Sequence, residues 1–208
     1  MIYFRFSFLL LASILLWSCT DSSMSEEELQ KYAQDADNGL FQQDSVNGLT
    51  IEVTNRPTGL LVAQELRSNT GLTDSIVTAV KNQYSKNMYF NLNLSVKDED
   101  PLLHSGSMGT FSSLLQTMAF QMDKYVFLTT SNKDTIPVGD FVYPRLYGMG
   151  RGSTVLFAFT GEELAKETEW VDFHLLDFGM NTGNRKYRFD VDDLRDTPTL
   201  QIETDKNN

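Results

Sequence analysis

Alternation of apolar and polar positions dominates the second half of the chain. In Tyr89 to Lys97 (YFNLNLSVK), Phe90, Leu92, Leu94 and Val96 fall on one side of an extended strand, while Asn91, Asn93, Ser95 and Lys97 fall on the other. Leu49, Ile51 and Val53 alternate in the same way and stop at Arg56-Pro57, which predicts a strand and a turn. After Lys124 the pattern is almost all strand. YVFLTT and TIPV flank Ser131 to Asp134 as a hairpin, and FVYPRLY, STVLFAF, WVDFHLL, KYRFDV and TLQI follow with Gly, Asn and Asp between them. Pro137 and Pro144 cannot donate to a ladder, so their strands belong at edges or carry bulges.

A helical period appears earlier. Ser25-Glu26-Glu27-Glu28 forms a capping-box pattern, Leu29, Tyr32, Ala33 and Ala36 follow at helical spacing, and Asn38-Gly39 supplies the stop. Thr73 caps a second helix with Ile76, Val77, Val80 and Tyr84 on one face. Phe111, Leu114, Leu115, Met118 and Met122 mark another, whereas residues 58–68 (TGLLVAQELRS) fit helix or strand equally. The expected fold is α+β and β-rich: an antiparallel β-sandwich-like domain over residues 40–203 with two to three helices in the N-terminal half. An acidic tether and short helix over 19–39 precede it, and a loose tail at 204–208 follows.

The first eighteen residues obey neither pattern. Arg5 stands near the start, Phe6 to Trp17 are apolar, and the small Ser18 ends the stretch. A spanning helix needs roughly 20 apolar residues and a secretory signal about 7 to 15, so residues 1–18 are expected to be an export signal cleaved after Ser18. Cys19 is the chain's one cysteine, so no internal disulfide braces the fold and stability must come from packing. The chain has 17 Lys and Arg against 28 Asp and Glu, a net charge of −11. That surface repels phosphate backbones, which excludes nucleic acid as a partner, and it disfavours lying flat on an anionic bilayer. The domain is therefore expected to stand off any membrane anchor.

Candidate chemistry is sparse. The two histidines are His104 and His174. HSGSMG at 104–109 is not a G-x-S-x-G elbow, and it reads as a loop before a helix. His174 shares a strand face with Trp170 and Asp172, too few ligands for a zinc site. In Asp35 to Gly39 a calcium-loop register would place a ligand position on Ala36, so that reading fails. Glycines 148, 150 and 152 precede a strand-like segment rather than the helix a nucleotide loop requires. No cofactor, metal or catalytic residue is expected. Tyr89, Tyr143 and Trp170, near Asn91, Asn93 and Asp172, form a candidate ligand-stacking surface suited to a glycan.

Leu16-Trp17-Ser18-Cys19 resembles a bacterial lipobox, with the bulky Trp17 departing from the usual small residue. Together with the acidic linker and the run DTIPVGDFVYPRLYGMGRGSTVLFAF, it looks like the small uncharacterised lipoproteins of Bacteroidota bacteria. The resemblance implies a lipid anchor on Cys19, placement at the outer membrane, on its periplasmic or surface face, in preference to the inner membrane, and no assigned catalytic residues. Three functions stay open. The first is a non-enzymatic component that binds an envelope protein or builds an envelope assembly; the second is a glycan binder; the third is a hydrolase. Buried acyl chains contribute about 0.8 kcal/mol per methylene, so two chains hold a protein where one is marginal. We predict that Cys19→Ser abolishes incorporation of labelled fatty acid and moves the protein into the aqueous phase on detergent partitioning.

Overall fold

The computed structural model describes residues 23–69, 71–144, 151–161, 164 and 166–202, so Ser18, Cys19 and the glycines at 148 and 150 lie outside the described residues. Two antiparallel sheets face each other. One contains β2 (Phe41–Val46), β3 (Leu49–Asn55), β4 (Asn87–Ser95), β7 (Asp140–Val142) and β8 (Ser153–Thr160), in the order β2-β3-β4-β8-β7. The other contains β5 (Val126–Thr130), β6 (Thr135–Pro137), β9 (Trp170–Leu175) and β10 (Arg185–Asp190), in the order β10-β9-β5-β6. The expected α+β, β-rich sandwich is therefore the observed architecture.

Alternation along the strands builds the core. Phe90, Leu92 and Leu94 of β4 meet Val155, Phe157 and Phe159 of β8 on the inner face of the larger sheet. Val171, Phe173 and Leu175 of β9, with Phe189 of β10, project from the smaller one. Phe90 lies 5.6 Å from Phe173 and 5.2 Å from Phe189 between ring centres, so its ring bridges the sheets. Both proline expectations hold at the sheet margins: Pro137 ends the edge strand β6, and Pro144 lies just past the edge strand β7. Asn47 and Gly48, with φ of 53° and 82°, join β2 to β3 in the left-handed conformation that a two-residue hairpin requires. Gly152 has no room for a side chain, because a Cβ there would approach the Leu94 carbonyl oxygen to 2.5 Å.

Three helices form a third layer over the outside of the larger sheet. In α1 (Glu26–Gln34) the capping box forms as expected, with the Glu28 amide donating to Ser25 Oγ at 3.3 Å and the Ser25 amide to Glu28 Oε2 at 2.9 Å. Residues 58–68 resolve as α2 (Thr58–Leu66). Its apolar side chains are divided between two neighbours: Leu60 packs with Leu29 and Leu200, and Val62 and Leu66 pack with Val77 of α3 (Asp74–Tyr84). In a strand Leu60, Val62 and Leu66 would all fall on one face and could not serve both neighbours. Outside this layer, α4 (Met108–Phe120) sends Leu114 and Met118 into the main core, and a short α5 (Val191–Arg195) follows β10. Among the described residues no helix is long and apolar enough to cross a membrane.

The segment expected to be a tether differs. Ser23 and Met24 form β1, which pairs in parallel with β11 (Thr199–Leu200), and Leu29 of α1 is fully buried. Residues from Ser23 onward thus belong to the folded unit, because α1 supplies the cover that Leu60 and Leu200 need. We predict that Phe90→Ala lowers unfolding free energy by about 3–5 kcal/mol, read from the urea midpoint, whereas Phe120→Ala, at a site 74% exposed, changes it by less than about 0.5 kcal/mol.

Candidate functional site

The helical layer stops short of the edge strand β7, and the uncovered part of the sheet becomes a cleft. Residues pointing outward form rows across the strands: Tyr89, Ala158 and Asp140 in one, and Thr54, Asn91, Leu156 and Val142 in the next. Arg56 continues the first row, since its amide donates to the Tyr89 carbonyl at 2.8 Å. Leu61, Gln64 and Glu65 of α2 and Tyr84 of α3 make the opposite wall, enclosing about 470 Å³. A smaller recess of about 210 Å³ lies between α1, α2 and the sheet and shares Arg56, Gln64 and Asn91 with the cleft.

Charges in this region are mostly matched. Arg67 pairs with Glu26, and the Tyr84 hydroxyl donates to Glu65 at 3.4 Å. Arg56 is the exception. Its Nη2 donates to Gln64 Oε1 at 2.9 Å, and among the described residues no carboxylate lies within ion-pair distance of it. Burial, with Arg67 adding to it, draws its pKa down, while Glu26 and Tyr84 oppose the change; a guanidinium nevertheless stays charged. The neighbouring amides also differ. Asn93 uses both ends, donating to Glu52 at 2.8 Å and accepting from Thr154 at 3.0 Å, whereas among the described residues the buried Oδ1 of Asn91 has no partner.

The outside of the smaller sheet carries a second polar constellation. Arg188 grips Asp172 through two hydrogen bonds of 2.8 and 3.0 Å, Lys186 reaches the same carboxylate at 3.1 Å, and the Arg188 guanidinium lies 3.7 Å over the Trp170 ring. His174 stacks on Phe127 with ring centres 4.6 Å apart, and its Nε2 is 2.8 Å from Thr129 Oγ1. The expected face is right, with Val171, Phe173 and Leu175 turned inward, but Asp172 is not solvated: its two cations cover it, leaving it 2% exposed. Burial lowers the His174 pKa and Lys186 adds to that, against Asp172.

The three aromatic candidates do not share one surface. Tyr89 points outward as expected, but Tyr84, at 5.9 Å, covers it and leaves it 7% exposed. Tyr143 follows Phe141 on the core-facing side, and its hydroxyl contacts Ser153 Oγ at 3.1 Å. Trp170 belongs to the other sheet, beneath Arg188. Cys19 and Ser18 lie outside the described residues, and among those described no cluster of three metal-capable side chains occurs. No family model matches the chain, and no curated protein does. A crystallographically determined protein of unknown function from Burkholderia pseudomallei is 10% identical, with 86% of this chain and 95% of that one aligned at a TM-score of 0.38, a likeness too slight to support any argument.

Asp172 offers a direct test of the second constellation. Burial alone would raise its pKa, but hydrogen bonds and charge from Arg188 and Lys186 outweigh that and hold it below the usual carboxylate range. Its stabilisation is therefore complete above the unfolded-chain value of about 4 and disappears as pH falls through the lower folded value. We predict that Asp172→Asn costs about 2 kcal/mol at pH 7 and that the gap from wild type closes below about pH 4, measured by urea unfolding across a pH series.

Proposed function

We propose that this chain is a lipid-anchored, non-enzymatic binding module of a bacterial envelope, held at the outer membrane through Cys19 and docking an envelope protein in the cleft beside β7. The observation that carries this reading is the half-buried Arg56, without a carboxylate partner among the described residues, set in a concavity of about 470 Å³ whose floor is partly apolar. Ligand sites are typically concavities of roughly 300–1,000 Å³ in which a few convergent polar groups interrupt apolar walls.

Support for a non-catalytic role comes from how the histidines are engaged. The exposed His104 meets Glu99 at 3.0 Å. His174 contacts the Thr129 hydroxyl, but Asp172, its neighbour on the same strand face, is occupied by Arg188 and Lys186 instead of orienting the imidazole. A triad needs that third contact. The glycan reading has weaker support, because Trp170 already has Arg188 over its ring.

Purification of the native, acylated chain in mild detergent is expected to recover a partner in fixed stoichiometry. Repeated recovery of the chain alone would overturn this reading.

A further inference from the structure

We propose that the cleft beside β7 receives the carboxyl end of a peptide, with Arg56 binding the terminal carboxylate and Asn91 accepting a hydrogen bond from the last backbone N–H. This rests on the binding-module reading and names the chemistry of its occupant.

Arg56 presents a planar fork of five N–H donors, of which Gln64 Oε1 takes one among the described residues. Carboxylates pair with such a fork through two parallel bonds. The nearby acids leave that position unfilled: Glu26 is held by Arg67, Glu65 meets the Tyr84 hydroxyl, and Asp140 lies at the far end of the cleft. Asn91 contributes the complementary need. Among the described residues its Oδ1 is buried without a donor, whereas Asn93 on the same sheet face is satisfied at both ends, and Asn91 lines both the cleft and the recess beside it.

Few common groups present a carboxylate and an N–H donor on the same atom's two sides. The terminal residue of a peptide does. Its side chain would then lie on the apolar part of the floor, formed by Leu156 and Ala158 with Val142 at the edge. Asp140 shares a row with Arg56 and Tyr89 three strands away, which is roughly 14 Å. An extended tripeptide spans about 10 Å, so the Arg56 and Asp140 side chains can close on its two ends. The same carboxyl-end chemistry occurs on a short free peptide and on the tail of a partner protein, and Asp140 separates the two, since only the free peptide brings an amine to it.

The test is calorimetric titration of the full acylated chain in mild detergent with Ala-Ala-Leu, its N-acetyl form and its C-terminal amide. The free-carboxylate peptides are expected to bind with Kd of about 1 mM or tighter, and the amide at least about tenfold more weakly. Loss of affinity on acetylation identifies a free short peptide as the occupant, and unchanged affinity a protein tail. Arg56→Gln should weaken the carboxylate peptides to the level of the amide, with Arg56→Lys between. The amide comparison uses wild-type protein, so it decides the matter even where a variant unfolds. Equal binding of carboxylate and amide, or binding of neither at about 1 mM, overturns the proposal. A protein partner recovered equally by wild type and a folded Arg56→Gln would remove this occupant and leave the binding-module reading standing.

Discussion

Phe90 lies where the two sheets meet, touching Phe159 from its own sheet and Phe173 and Phe189 from the other. With Phe157 these rings make a continuous aromatic seam, largely in tilted and edge-to-face arrangements. Such pairs contribute about 0.5–1.5 kcal/mol each beyond the area they bury. In a chain with a single cysteine this seam does the work that a disulfide performs in many exported sandwiches. Because the inner faces are fully committed to it, the outer faces are where chemistry can be placed.

Those faces are treated in opposite ways. The larger sheet is roofed by α1, α2 and α3, whose apolar side chains pack mainly on one another and on the C-terminal strand. Their roof leaves polar side chains beneath it, and the cleft opens where the roof ends before β7. The smaller sheet uses its own side chains as cover. Arg188 lies across both Asp172 and Trp170, and Phe127 and His174 stack beside them, so a strand face with a charged residue at its centre is sealed without a helix.

Where one period governed a segment, the sequence was readable. β4, β9 and the capped α1 follow their patterns, and the two prolines mark real sheet margins. β2 carries little signal of its own because FQQDSV alternates weakly, although the Asn47-Gly48 pair after it is a strong hairpin signal. Residues 58–68 were ambiguous because α2 is buried toward two neighbours, which erases a one-sided stripe. The cleft was not legible at all. Arg56 looked like a residue at a turn and Asn91 like one of several outward amides; their meeting depends on strand order and on the placement of α2, neither of which has a local signal. Tyr143 was misleading because β7 sets its parity through pairing with β8, placing it opposite Tyr89.

The pairing of β1 with β11 has a mechanical consequence. It fastens the chain at Ser23, so only three residues intervene before Cys19, and even fully stretched that span reaches about 14 Å. An acylated cysteine would therefore act as a short leash and not a long one. The acidic first turn of α1, Glu26 to Glu28, would be kept close to lipid headgroups that repel it. Leash and repulsion would then act in opposite senses on the same end of the module, the corner where β1 meets α1.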